Sequence, residues 1–388
     1  MPSRVPRAGK SGALAISFRG RWKNRANLPQ ASLDRQRIPA SDYLTIWLVR
    51  GTAMGIRKLA YAAMAAALTV SFSASAQEWK PSEPVTIIVP WAAGGSTDTV
   101  TRIVAGELTK AFGQNFVILN QPGASGSVGT RAAWEAAHDG LTIAAGAVAD
   151  LGAYPVFGTL DAQLSDWRLY LHVANPGLIS VPVNSEWQDF GQLLEALKTS
   201  STPITVSSGG LSSATAISMQ TLEKATKINY RQIVYEGGNP AVISTVSGET
   251  QFTAATATEQ VDMIRAGRLR PLAVIADQPL ELEGFGTVPP VTEWLPEIKS
   301  APNYFGIYLP ADTPQEVLDA MDKVWAEQIK DNEVLKKHAA ERGALFNATY
   351  GDEAVKASTP YLSINAWQQF ESGAAPNDPT GFGIPKPE

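Results

Sequence analysis

The sequence predicts an α/β protein built on largely parallel sheets. Three observations carry that expectation. Short β-branched runs alternate with stretches of helical period along most of the chain. Several of those runs lead straight into glycine- and serine-rich turns that open a helix, which puts the turns at strand carboxyl ends, where open α/β sheets bind ligands. The 388 residues, 44% hydrophobic and 18% charged, suffice for two domains with a sizeable core. No internal repeat of fixed period is evident.

The N-terminal stretch concerns export. Residues 1–53 are basic, rich in Arg and Pro, and lack a sustained period; they read as an over-extended reading frame and are expected to be disordered. Met54-Gly-Ile-Arg-Lys58, the apolar run Leu59 to Phe72 and Ala74-Ser-Ala76 follow the order of a secretory signal peptide, residues 54–76, cleaved after Ala76. The apolar run falls short of the roughly 20 residues a spanning helix needs. Before Gln77 lie 12 of the 32 basic but only 2 of the 37 acidic residues, which leaves 20 against 35 and a net charge of −15. So acidic a chain is a poor partner for nucleic acid or an anionic membrane. Any anion must be held by local dipoles and hydrogen bonds.

The absence of cysteine excludes disulfides, thiolate metal sites and cysteine nucleophiles. His138, His172 and His338 are far apart in sequence and read as ordinary surface or core residues. Neither a metal nor a cofactor is expected.

The first strand is Val85 to Val89, and Pro90 ends it. Gly94 and Gly95 free the backbone, and Ser96, Thr97 and Asp98 are all N-cap types at the head of a helical pattern that Gly113 closes. A turn of this kind aims free N–H groups at one spot, and the helix dipole favours negative charge there. The reading is an anion seat, most simply for a carboxylate. Such turns also occur with no ligand at all, so the local pattern leaves both readings open. No phosphate-loop motif is present.

Asn115 to Asn120 reads as the second strand. It meets the Gln121 to Gly129 loop, with a helix expected over 130–137. That loop is neither a nucleophile elbow nor a dinucleotide fingerprint. Leu141 to Ala149 reads as a third strand, followed by a loop-rich region holding Tyr154, Phe157 and Trp167. Leu169 to Ala174 and Leu178 to Val183 read as strands, and Asp189 to Leu197 as an amphipathic helix. Ile204-Thr-Val-Ser-Ser-Gly-Gly-Leu-Ser-Ser213 repeats the strand-to-turn device ahead of a helix over 214–226. Beyond it come strand Arg231 to Tyr235, helix Ala241 to Ser247, strand Thr250 to Ala257, helix Gln260 to Ala266 and strand Arg270 to Ile275. Residues 279–296 read as a long surface loop and Asn303 to Pro310 as a strand. Thr313-Pro-Gln-Glu316 fits a capping box opening a helix to Lys330. Glu333 to Arg342 reads as a helix, and residues from Ala374 onward as a tail.

Seven ordered motifs then resemble the Bug-type periplasmic solute-binding proteins of tripartite tricarboxylate transporters. They are Val89-Pro-Trp-Ala-Ala-Gly-Gly-Ser-Thr-Asp98, Asn120 to Ser127, Asp139 to Ile143, Ser207 to Ser213, Tyr235 to Ala241, Ala266 to Ala273 and Leu309 to Pro314. The resemblance runs from about Pro84 to about Glu353. It implies two α/β lobes of the periplasmic-binding-protein (Venus-flytrap) type, 77–178 with 303–388 and 179–302, closing on a small carboxylate. It implies a ligand site at Ala93, Gly94, Gly95, Ser96, Thr97 and Asp98. Ala124 and Ser125 would lie in the same lobe, with Ser207, Ser208, Ser212, Ser213, Tyr235, Gly238 and Thr256 closing from the other. Asp98 is better placed to cap a helix or order the loop than to touch an anion, because like charges repel. Helix capping is the competing role for Ser207, Ser208, Ser212 and Ser213. Trp91 reads as wall or hinge packing. Two positions depart from many relatives: Ala216 stands where a histidine is common, and Ala255 and Thr256 where an acidic residue is.

The implied role is capture of a small organic acid in the periplasm by a monomer, and delivery to the membrane components of such a transporter. Presentation of the ligand to a membrane sensor is an alternative. A secreted serine hydrolase is another, though it would need a nucleophile, base and orienting group that no motif supplies.

Overall fold

The computed structural model describes residues 79–387, all within the compact unit Gln77–Glu388. The expected extension and signal peptide lie outside the described residues. The first sheet holds β1 (Val85–Val89), β2 (Phe116–Asn120), β3 (Thr142–Ala147), β4 (Trp167–Ala174), β12 (Tyr304–Pro310) and β13 (Leu345–Phe346). Its order is β13-β4-β12-β3-β1-β2. The second holds β5 (Leu178–Pro182), β6 (Ile204–Ser208), β7 (Tyr230–Val234), β8 (Phe252–Thr253) and β9 (Leu269–Val274), in the order β7-β6-β8-β5-β9. A hairpin of β10 (Leu280–Leu282) and β11 (Gly286–Val288) attaches to the second lobe, inside what reads from sequence as plain loop.

The sheets are mixed rather than largely parallel. β1 runs parallel to β2 and β3, and β6 to β7 and β8, as strand–helix–strand units require. The strands near the crossing between lobes run against their neighbours: β12 against β3 and β4, and β5 against β8 and β9. β4 leaves the first sheet and becomes β5 of the second after only residues 175–177, too short a link for a parallel crossover within one sheet.

Helices α1 (Ser96–Phe112), α2 (Ser127–Trp134), α3 (Val148–Phe157), α8 (Gln315–Val324), α9 (Glu333–Arg342) and α10 (Gly351–Glu371) belong with the first sheet. Helices α4 (Phe190–Thr199), α5 (Ala214–Ala225), α6 (Gly238–Val246) and α7 (Ala257–Arg265) belong with the second. In α1, Val100, Val104, Leu108 and Phe112 recur every fourth residue and bury one stripe against Val85, Ile87 and Val89 of β1. The opposite face of that sheet is covered by α3 and α10, through Leu151, Tyr154, Leu362 and Ala366. The second lobe has its own core around Val206, Phe252, Leu193 and Met219.

Several expectations are corrected here. Residues 148–157 form α3 instead of a strand end and loop. Val148 to Val156 are buried on every side, so no amphipathic period marks them. The expected strand Thr250 to Ala257 shrinks to β8 because α7 already starts at Ala257. No capping box forms at 313–316: Pro314 is the N-cap, without a side-chain bond, and the buried Thr313 Oγ1 has no partner. The helix that follows passes into a π turn, Trp325–Ile329, where the Trp325 indole donates to the Leu171 carbonyl. The tail folds back onto the protein. Ala375 and Ile384 are buried, and the Ile384 carbonyl accepts the Trp367 indole N–H.

Candidate functional site

A cavity of about 50 Å³ lies between the two sheets. From the first lobe it is walled by Trp91, Gly95 to Thr97, Ala147, Asp150, Asn303 and Phe305. From the second it is walled by Gly209, Ser212 to Thr215, Gly238, Ala255, Thr256 and Glu259. Three helices begin on this wall: α1 at Ser96, α5 at Ala214 and α6 at Gly238. The first N–H groups of a helix have no intrahelical acceptor, so these starts supply donors to one small space. Of the residues expected from sequence, Gly95, Ser96, Thr97, Ser212, Ser213, Gly238 and Thr256 meet here.

The rest of that set lies off the wall. Ala93 and Gly94 are exposed, and Ala124 is exposed on the neighbouring loop. Asp98 turns back into its own lobe. It accepts the Gly94 N–H at 2.9 Å, the Arg102 guanidinium at 2.8 and 3.0 Å and the Asn120 amide at 2.9 Å. Burial works to raise its carboxyl, but the Arg102, Gly94 and Asn120 hydrogen bonds outweigh it and hold the group below its usual range. Asp98 therefore orders the glycine turn. Ser207 is fully buried with its hydroxyl on Thr245, and Ser208 bonds Gly210 and Ser213. Tyr235 is turned toward Ser244 and Glu249.

Ser125 has a different task. Ala124 and Ser125 have φ of 44° and 54°, which non-glycine residues seldom adopt. That conformation lets the Ser125 hydroxyl accept the Leu211 N–H across the cleft at 3.0 Å. The approach of the lobes is close elsewhere too. A Cβ on Gly94 would lie 3.1 Å from the Asn239 amide nitrogen, and a Cβ on Gly210 would lie 3.0 Å from the Trp91 ring.

Two acidic residues that sequence reasoning missed dominate the wall. Glu259 is the third residue of α7 and closes a capping box with Thr256: Oε2 accepts the Thr256 N–H at 3.0 Å and its hydroxyl at 2.8 Å. Oε1 reaches the other lobe, 3.2 Å from the Ser96 hydroxyl and 3.4 Å from the Ser96 N–H. The carboxylate thus stands at the head of α1, the seat the sequence assigns to a ligand anion. Thr256-Ala-Thr-Glu259 is a capping-box pattern, and it was the available signal. Asp150, in the first turn of α3, is fully buried and accepts the Ser212 hydroxyl at 2.9 Å across the cleft. Burial pushes its carboxyl up to about 7, against the opposing pull of Ser212 and the Trp91 indole. Its helix was itself unrecognised in the sequence, so nothing marked it.

Two α/β lobes meeting on a small polar cavity give the chain a fold similar to that of periplasmic binding proteins. The chain matches the profile of the Tripartite tricarboxylate transporter family receptor over residues 100–343, and it belongs to that family. It is 26% identical to protein BugT of Bordetella pertussis over 282 residues, 69% of this chain and 83% of BugT. Among solved structures it is similar to Rpa4515 of R. palustris with adipate (22% identity, TM-score 0.65, 79% of this chain and 99% of that one). It is also similar to MatC of Rhodopseudomonas palustris with bound malate (22% identity, TM-score 0.65, 75% and 98%).

Proposed function

We propose that the chain captures a small organic acid in the periplasm, as a monomer and without chemical conversion, and hands it to the membrane components of a tripartite tricarboxylate-type transporter. The moving bodies are 77–178 with 303–388, and 179–302. One observation carries the reading: helix starts from both lobes, at Ser96, Ala214 and Gly238, converge on one cavity. Gly95, Ser96, Thr97, Ser212, Ser213, Gly238 and Thr256 are the proposed ligand contacts. Receptor-family membership and the malate and adipate held by the two similar structures support the ligand class.

A ligand that binds only the folded state raises apparent stability by mass action. A thermal-shift panel of mono-, di- and tricarboxylates and amino acids is expected to give a saturable rise in Tm for at least one acid, recovered unchanged. Native mass spectrometry of freshly purified protein is expected to show the same acid bound. No stabilisation by any member of the panel overturns the reading.

A further inference from the structure

The charge of the cavity wall is opposite to what a dicarboxylate needs. It carries Asp150 and Glu259 and, among the described residues, no lysine, arginine or histidine. Two more polar atoms on the same wall lack partners: Thr215 Oγ1 and Asn303 Oδ1, on residues 1% and 4% exposed. Asn303 Oδ1 accepts only, so it needs an N–H donor that the protein does not bring. Trp91 and Phe305 add aromatic surface, which attracts cations. A dicarboxylate would place two negative charges beside the Glu259 carboxylate and beside Asp150, which becomes a second negative charge as pH rises through about 7. A ligand with one carboxylate and one ammonium group meets every demand of the wall. Its carboxylate takes the free N–H groups at the start of α5. Its ammonium takes Asn303 Oδ1 and is neutralised by the acidic pair.

We propose that the cleft selects small zwitterions with one carboxylate and one ammonium, of the neutral α-amino-acid type, over dicarboxylates, with Asp150 and Glu259 as counter-charges to the ammonium. The proposal rests on the organic-acid reading above and narrows it.

Calorimetry on the mature chain, with alanine and glutamine against malate and adipate, tests it. The expected result is that an amino acid binds at least tenfold tighter than either dicarboxylate. Glu259→Gln and Asp150→Asn are each expected to weaken amino-acid binding at least tenfold and to narrow the gap to malate. Wild-type protein gives a measurement that needs no variant: amino-acid affinity should rise with pH through about 7 as Asp150 ionises. Ser212 and the Trp91 indole face Asp150, as do Tyr154, Tyr308 and Tyr361, whose phenols burial pushes up and keeps protonated across that range. Preference for malate or adipate, or an amino-acid affinity indifferent to both substitutions and to pH, overturns the proposal and leaves the organic-acid reading standing. Binding of none of the four compounds, with no response across the wider acid panel, overturns both.

Discussion

Two contacts cross the cleft by the same chemistry, a serine hydroxyl donating to a carboxylate, yet their surroundings differ. Ser96 to Glu259 lies in a half-buried place, and the carboxylate keeps its Thr256 partners whatever the lobes do. Ser212 to Asp150 is enclosed, and Asp150 has few other partners. The comparison teaches that one acid is held by its own helix and merely leans across, whereas the other relies on the cleft around it. The first should be nearly neutral toward stability. The second should govern it.

The sharpest test is pH. Asp150 sits near 3.8 when unfolded and at about 7 when folded, so the folded protein keeps a proton that the unfolded chain releases. That contribution is fully present below about pH 4 and is lost as pH rises through about 7. The loss is at most about 4 kcal/mol for a separation of roughly three pH units. Tm is therefore expected to fall between pH 5 and 8, and Asp150→Asn to flatten the fall. An unchanged slope in that variant would assign the pH response elsewhere.

Next comes the packing of two turns on the second-lobe wall of the cleft. Gly209→Ala forces a methyl group against the backbone of Gly237 and Gly238, at 2.7 to 2.8 Å. Relieving it requires backbone shifts costing about 1–3 kcal/mol, read as a lower urea midpoint. Ser212→Ala removes a donor from a buried carboxylate and should cost about 1–3 kcal/mol above pH 7 but less at pH 5, where Asp150 is protonated. The smallest effect belongs to Ser96→Ala, about 0.5–1 kcal/mol, because Glu259 retains its capping box. Equal costs for the two serine variants at pH 8 would erase the distinction between the contacts.

Much of this was legible in the residues. Val85 to Val89 and Glu333 to Arg342 stand at the expected boundaries, since β-branching marks the one and acidic and basic ends mark the other. The helix starts were legible because glycine and serine have specific backbone uses there. What escaped were elements without contrast. α3 is buried from Val148 to Val156 and apolar but for Asp150, and α10 buries Ser358, Asn365, Gln368 and Gln369 alongside its apolar residues and carries Pro360 within it, so neither shows a regular amphipathic period. Asp150 and Glu259 escaped because burial and facing across a cleft are properties of the folded chain, and local spacing does not encode them.

Helix α10 begins beyond residue 343, where the match to the family profile ends. Its Asn365 amide donates to the Ala149 carbonyl, and its Gln369 amide to the Leu211 carbonyl, the neighbours in sequence of Asp150 and Ser212. Gln368 reaches Thr221 of α5, and Leu362 fills the notch left by Gly152 of α3. A protein trimmed at residue 343 would bare the oily side of α3 to water. It would also lose the brace behind both halves of its deepest bond, so it should clump instead of opening and shutting.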